Sequence, residues 1–144
     1  MTVFMLANQL PLLQAGFPPV PVSGQIAAYC LPDSPLHGRR IVARNQVIAF
    51  SDPNDLLSYP VPDDFVQYGI DSRLCPRAVN VTLNIAHVTR LGSTEAFANP
   101  ETAHTAYNND ARVIGLMTGG LGRSESSDEV SERCNWLRID EALR

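Results

Sequence analysis

Apolar residues gather into short runs, and prolines, glycines and acidic residues separate them. The first run, at residues 2–7, predicts a strand, and Leu10 to Leu13 continue apolar beyond it. Residues 16–24 then hold Pro18, Pro19 and Pro21 between Gly16 and Gly24, which excludes a helix and predicts a loop. A short apolar run at 25–31 leads to a second loop at 32–38, where His37 reads as a solvated loop histidine. The second strand is centred on 46–50, Gln-Val-Ile-Ala-Phe, and a polar turn with Asp52 and Asp55 follows it. Residues 62–76 carry Asp63, Asp64 and Asp71 and predict an irregular surface segment. The third strand falls at 78–85, where β-branched residues alternate in part with polar ones. Asn80-Val81-Thr82 matches a glycosylation sequon, but a strand interior is a poor acceptor. Further on, Asn109 and Asp110 are placed to cap a helix running through Val113, Ile114, Leu116 and Met117, with Gly119 and Gly120 near its end. The chain turns polar after Gly122. Residues 123–144 predict a mobile tail, in which Trp136, Leu137, Ile139 and Leu143 suggest a short docking helix.

Composition narrows the class. A chain of 144 residues fits one domain or part of a larger one. With 44% apolar and 18% charged residues it is a globular composition with much buried surface. A net charge of −4 without a basic stripe argues against nucleic-acid binding. All 11 basic residues are Arg, which reflects codon bias before function. No apolar run is long enough for a transmembrane segment. The apolar start is broken by Asn8, Gln9 and Pro11 and lacks a basic region, so it is a poor signal peptide. That favours the cytoplasm, unless a preceding segment carries a signal. Cys30, Cys75 and Cys134 are odd in number and lack metal spacing, which predicts free thiols in a reducing compartment. His87 reads as a strand-end histidine. A metal site of His87, His104 and a carboxylate has no ligand spacing behind it, so neither a metal nor a cofactor is expected.

The chemistry lies in the order of the segments. One buried strand ends in an acidic turn, and the next leads to a loop at His104 with an amphipathic helix after it. In a parallel sheet both turns leave at the same edge. A carboxylate there can accept a hydrogen bond from one ring nitrogen of His104, fix its tautomer and stabilise the imidazolium. The segment 47–60, with Phe50-Ser-Asp-Pro-Asn-Asp-Leu-Leu-Ser-Tyr-Pro60, resembles the acid-bearing loop of α/β-hydrolase fold lipases and esterases. The segment 98–121, with Asn99-Pro-Glu-Thr-Ala-His-Thr-Ala-Tyr107, resembles their histidine loop. The resemblance covers residues 2–121 and implies the C-terminal part of a mostly parallel α/β sheet with flanking helices. It implies His104 as general base and Asp55 as acid, since Asp55-Leu56-Leu57 resembles the Asp-aliphatic-aliphatic pattern after the seventh strand of such hydrolases. Asp52, followed by Pro53, is the rival acid.

One part of that family's pattern is absent. The nucleophile elbow, G-x-S-x-G, exposes the Ser on a strand-to-helix turn. None of the ten serines lies in it; Ser23, in Val-Ser-Gly, comes closest and lacks the glycine two positions before it and the strand-to-helix frame. The resemblance therefore implies a fragment: the acid and His half of a Ser-Asp-His triad, acting on small-molecule or lipid esters once joined to a Ser-bearing N-terminal half. Half a parallel sheet leaves an edge open to self-association. The alternatives are a non-catalytic remnant or interaction module of the same fold, and a small α/β binding protein with no catalytic history.

Overall fold

The computed structural model describes residues 1–86, 88–91, 95–121 and 137–141. The central sheet pairs β1 (Thr2–Met5), β2 (Asn45–Ser51) and β3 (Pro76–Leu83) in parallel and in chain order. A separate antiparallel hairpin, β4 (Val88–Leu91) and β5 (Glu95–Ala98), follows β3, and β6 (Leu137–Glu141) runs antiparallel along the far side of β3. Parallel strands need crossovers, and the first two crossovers carry helices. Between β1 and β2 lie α1 (Leu10–Leu13) and α2 (Ile26–Cys30), and between β2 and β3 lies α3 (Asp63–Tyr68). After β5 come α4 (Pro100–Thr105) and α5 (Ala111–Gly119). This is an α/β architecture with a mostly parallel sheet and flanking helices.

Register sorts the strand residues between two faces. Phe4 pairs with Ile48, Ile48 with Val79 and Phe50 with Val81, so these side chains share one face. There they bury against Tyr107, Val113 and Leu116, which places α5 over that face. Met5, Ala49 and Ala78 point the other way and meet Val61, Phe65 and Val66 of the α3 region and Ile26 of α2. Phe50, Val79, Val81, Leu83 and Val113 are fully buried. Each such side chain contributes about 1.5–3 kcal/mol. Asn80, on the second face, accepts from the Val61 N–H and donates to the Val61 carbonyl, at 2.8 and 3.0 Å. It serves Val61 as a strand would, and it fastens the far end of the acidic turn to the sheet.

Several sequence expectations change. The strand expected at 2–7 stops at Met5, because Ala7 adopts a left-handed backbone, φ 50°, that turns the chain out of the sheet. The segment at 62–76 is not irregular throughout. Pro62 precedes α3, Asp63 and Asp64 complement the dipole of its first turn, and Val66 buries it against the sheet. The helix suggested around 136–143 is instead β6. Leu137-Arg-Ile-Asp alternates with period two, and a strand there satisfies the open edge of β3. His87, Cys134 and most of the 123–144 segment lie outside the described residues. The expectation of free thiols fails at two positions. Cys30, at the end of α2, is disulfide-bonded to Cys75, just before β3, with a Cα–Cα distance of 5.4 Å.

Candidate active site at the strand ends

Parallel pairing brings the C-terminal ends of β1 and β2 to one edge, the side where open α/β sheets bind ligands. The turn after β2 is built by its own aspartates. Asp52 accepts from the N–H and side-chain amide of Asn54, at 2.8 and 2.9 Å, and Asp55 accepts from the Leu57 N–H at 3.0 Å. Both are Asx-type bonds that favour a turn over a continued strand. At the end of β1, Asn8 is buried. Its side-chain amide donates to the Tyr59 carbonyl at 2.8 Å, and its own carbonyl accepts from the Tyr59 N–H at 2.8 Å. The end of β1 is thereby locked to the end of the acidic turn.

His104 arrives from the other side. It sits in the last turn of α4, not on the loop expected from sequence. Asn99 caps this helix through the N–H groups of Glu101 and Thr102, and Pro100 holds its first position. The fully buried Ala103 fixes which face turns inward. His104 Nδ1 lies 3.0 Å from each oxygen of Asp55. The Asp55 side chain is 1% exposed and that of His104 31%. The carboxylate is therefore closed off, while the imidazole keeps an outward side. Because a carboxylate only accepts, Nδ1 carries the proton and Nε2 presents its lone pair. The side-chain nitrogen of Gln9 is 3.4 Å from that Nε2 and donates toward it.

Asp52 and Asp55, rivals in the sequence, are separated by the structure. The Asp52 carboxylate, 1% exposed, accepts from the N–H groups of Ile85 and Ala86 at 2.6 and 3.1 Å and makes no bond to His104. It clamps the chain where β3 ends, and it explains why the third strand stops at Leu83 instead of 85. Asp52→Ala is expected to lower unfolding free energy by about 3 kcal/mol, because two buried N–H groups lose their acceptor. Urea unfolding measures it. A variant with wild-type stability would remove the clamp from the account.

Sequence reading missed two groups at this site. Gln9 carries no sequence signal; only the turn at Ala7 aims it. Tyr107 is 2% exposed, and its hydroxyl donates to Asp55 Oδ2 at 3.3 Å and meets Ser58 Oγ at 3.1 Å. Burial raises its pKa well above the ordinary tyrosine value, and the nearby Asp55 and Asp52 charges add to that despite the Ser58 hydrogen bond, so it remains a donor. The helix after it is positioned by Asp110, which caps α5 and grips Arg112 at 2.6 Å, while Arg112 reaches the Asn84 carbonyl at 2.6 Å. Desolvation works against ionisation of Asp110, yet its bonds to Arg112 hold its pKa below the ordinary carboxylate value.

Among the described residues, no three His, Cys, Asp or Glu side chains group in a way that would hold a metal ion, and no helix is long and apolar enough to cross a membrane. No family model matches this sequence, and searches of curated proteins and of solved structures return no match. What the site can do therefore follows from its geometry: orient an imidazole, leave its lone pair on Nε2 and stabilise the cation that forms when that lone pair takes a proton.

Proposed function

We propose that this chain supplies the acid and the general base of a serine hydrolase of the α/β-hydrolase type that acts on carboxylic esters. The observation that carries the reading is the seating of His104 Nδ1 on both oxygens of a buried carboxylate, with Nε2 beside the Gln9 amide. His104 would take the proton of a serine hydroxyl and return it to the leaving group, with Asp55 orienting it. The order of acid before histidine agrees with that family's chain order, although here only the acid follows a parallel strand directly, and the β4–β5 hairpin stands between β3 and the histidine helix.

On this reading the serine is supplied from outside this sequence, since none of its ten serines lies in the elbow pattern. Among the described residues the hydrogen-bond partners of His104 are Asp55 and Gln9, and no hydroxyl reaches it. β1 is the outermost strand on its side of the described sheet. A strand added in parallel along β1 would end beside Gln9, with its following turn facing His104 Nε2. A cavity of about 470 Å³ opens beside β1 toward the strand starts, lined by Thr2, Gln46 and Thr118 as well as Phe4, Ile48 and Leu116.

The test is to capture the protein from its source through an epitope on this chain and treat it with a biotinylated fluorophosphonate. A serine is expected to be labelled, in the captured polypeptide or in one bound to it, and His104→Ala is expected to abolish the labelling. A captured protein with intact His104 that takes no label refutes the reading and leaves the dyad as a clasp between turn and helix.

A further inference from the structure

We infer that His104, Asp55 and Gln9 form an acyl-transfer site of their own, one that cleaves activated carboxylic esters with His104 Nε2 as the nucleophile and no serine. The inference uses the dyad but not the serine reading. Three observations carry it. Asp55 is buried and accepts the Nδ1 proton, so the lone pair resides on Nε2. The imidazole is nearly a third exposed, enough to admit a small ester. Gln9 holds a side-chain N–H donor 3.4 Å from Nε2, beside the place where charge would develop.

Each step balances. The Nε2 lone pair adds to the ester carbonyl carbon, and the carbonyl π pair moves to oxygen. That oxygen lies one bond from the atom now joined to Nε2, so it falls next to the Gln9 amide, which shifts its hydrogen bond from Nε2 to the oxyanion. The adduct collapses, the bond to the leaving oxygen breaks and an aryloxide departs with the electron pair. The Nε2-acyl imidazolium that remains has its charge set against Asp55 through Nδ1–H. Water adds to the acyl carbon and gives a proton to solvent, the C–N bond breaks, and Nε2 recovers its lone pair as the carboxylic acid leaves. Histidine is a known covalent nucleophile of this kind. The leaving group sets the substrate class. An alkoxide leaves less readily than imidazole, so adducts of alkyl esters revert, whereas aryl esters go forward.

Gln9 is held ready for this by the backbone. Ala7, φ 50°, turns the chain at the end of β1, and the Asn8–Tyr59 bonds fix the turn against the acidic loop. A non-glycine residue in that region marks a constraint imposed by its surroundings.

The experiment is hydrolysis of 4-nitrophenyl acetate by the purified chain at neutral pH, followed as nitrophenolate release. His104→Ala and His104→Gln are expected to fall to the background set by buffer and the other histidines. Asp55→Asn is expected to lower the rate, because an amide facing Nδ1 would donate and leave its lone pair on the wrong nitrogen. Gln9→Leu, similar in volume but without a donor, is expected to lose about tenfold, less than the loss seen for donors in closed sites because this one is partly solvated. Circular dichroism of each variant checks the fold. A wild-type rate no higher than that of both His104 variants overturns the inference, and a Gln9→Leu rate equal to or above wild type removes Gln9 from it. Fluorophosphonate treatment is expected to leave this rate unchanged, whereas serine-based turnover would vanish. Failure here leaves the serine reading standing, and loss of labelling there leaves this one standing.

Discussion

On the proposed serine-hydrolase reading, His104→Ala is expected to cost about a million-fold in ester turnover, and Asp55→Asn about ten-thousand-fold. The first figure is about 8 kcal/mol of transition-state stabilisation, since each tenfold is 1.36 kcal/mol. It is that large because nucleophile, base and acid act as one unit, and without a base the serine proton has nowhere to go. The Asp55→Asn loss has a geometric origin. The Leu57 N–H donates to Oδ1, the Tyr107 hydroxyl donates to Oδ2, and His104 Nδ1 lies 3.0 Å from both. An asparagine that turns its oxygen to the Leu57 N–H would put an NH₂ in place of one of the two oxygens that face Nδ1. The ring proton would move to Nε2, and the base would lose the lone pair it works with. The measurement is kcat on 4-nitrophenyl butyrate for captured wild-type and variant protein, with thermal midpoints as a fold control. A His104→Ala protein that keeps more than about a hundredth of the activity would exclude His104 as the base.

The two aspartates show what the sequence held and what it withheld. Spacing and chain order put an acid in the turn after the second strand, and both Asp52 and Asp55 fitted. They differ by three residues, and the choice between them is made by contacts from 33 and 49 positions away in the chain, Ile85 for one and His104 for the other. No local pattern encodes that. The strand cores at 46–50 and 78–83 were legible because a buried parallel strand is apolar on both faces, and here both strands have helices above and below. The helix after Asp110 was legible from its cap. α4 was legible in principle, since Asn99-Pro100-Glu101 is a cap, a first-turn proline and a first-turn acid, but the segment is short and its His104 drew the reading toward a loop. Gln9 was not legible, because its role comes from a backbone turn at Ala7 that a helix-forming residue does not advertise.

The same locality hides the disulfide, whose loss is expected to be the largest single stability change in the chain. Cys30 and Cys75 stand 45 positions apart, and they meet because α2 packs beside the turn that leads into β3. Closing a loop of that length removes denatured-state entropy worth about 4 kcal/mol in the chain-entropy model. Native geometry is expected to survive reduction. The Gln25 N–H still bonds Ser72 Oγ at 3.0 Å, the Ser72 N–H still bonds the Val22 carbonyl at 2.9 Å, and Tyr29 stays buried. The effect therefore falls on the unfolded chain. For a domain whose total stability is on the order of 5–15 kcal/mol, that is about a quarter or more of what holds it folded. Urea unfolding with and without a thiol reductant measures it. The reduced wild type and the Cys30→Ser, Cys75→Ser double variant are expected to share one lowered midpoint, with little change in slope between them. A wild-type midpoint indifferent to reductant would mean the bond does not form in the protein. α2 packs on the face of the sheet opposite Tyr107 and α5. Reduction in the absence of denaturant is therefore expected to leave the His104-dependent ester rate unchanged, and the disulfide then acts on how long the site stays folded and not on its chemistry.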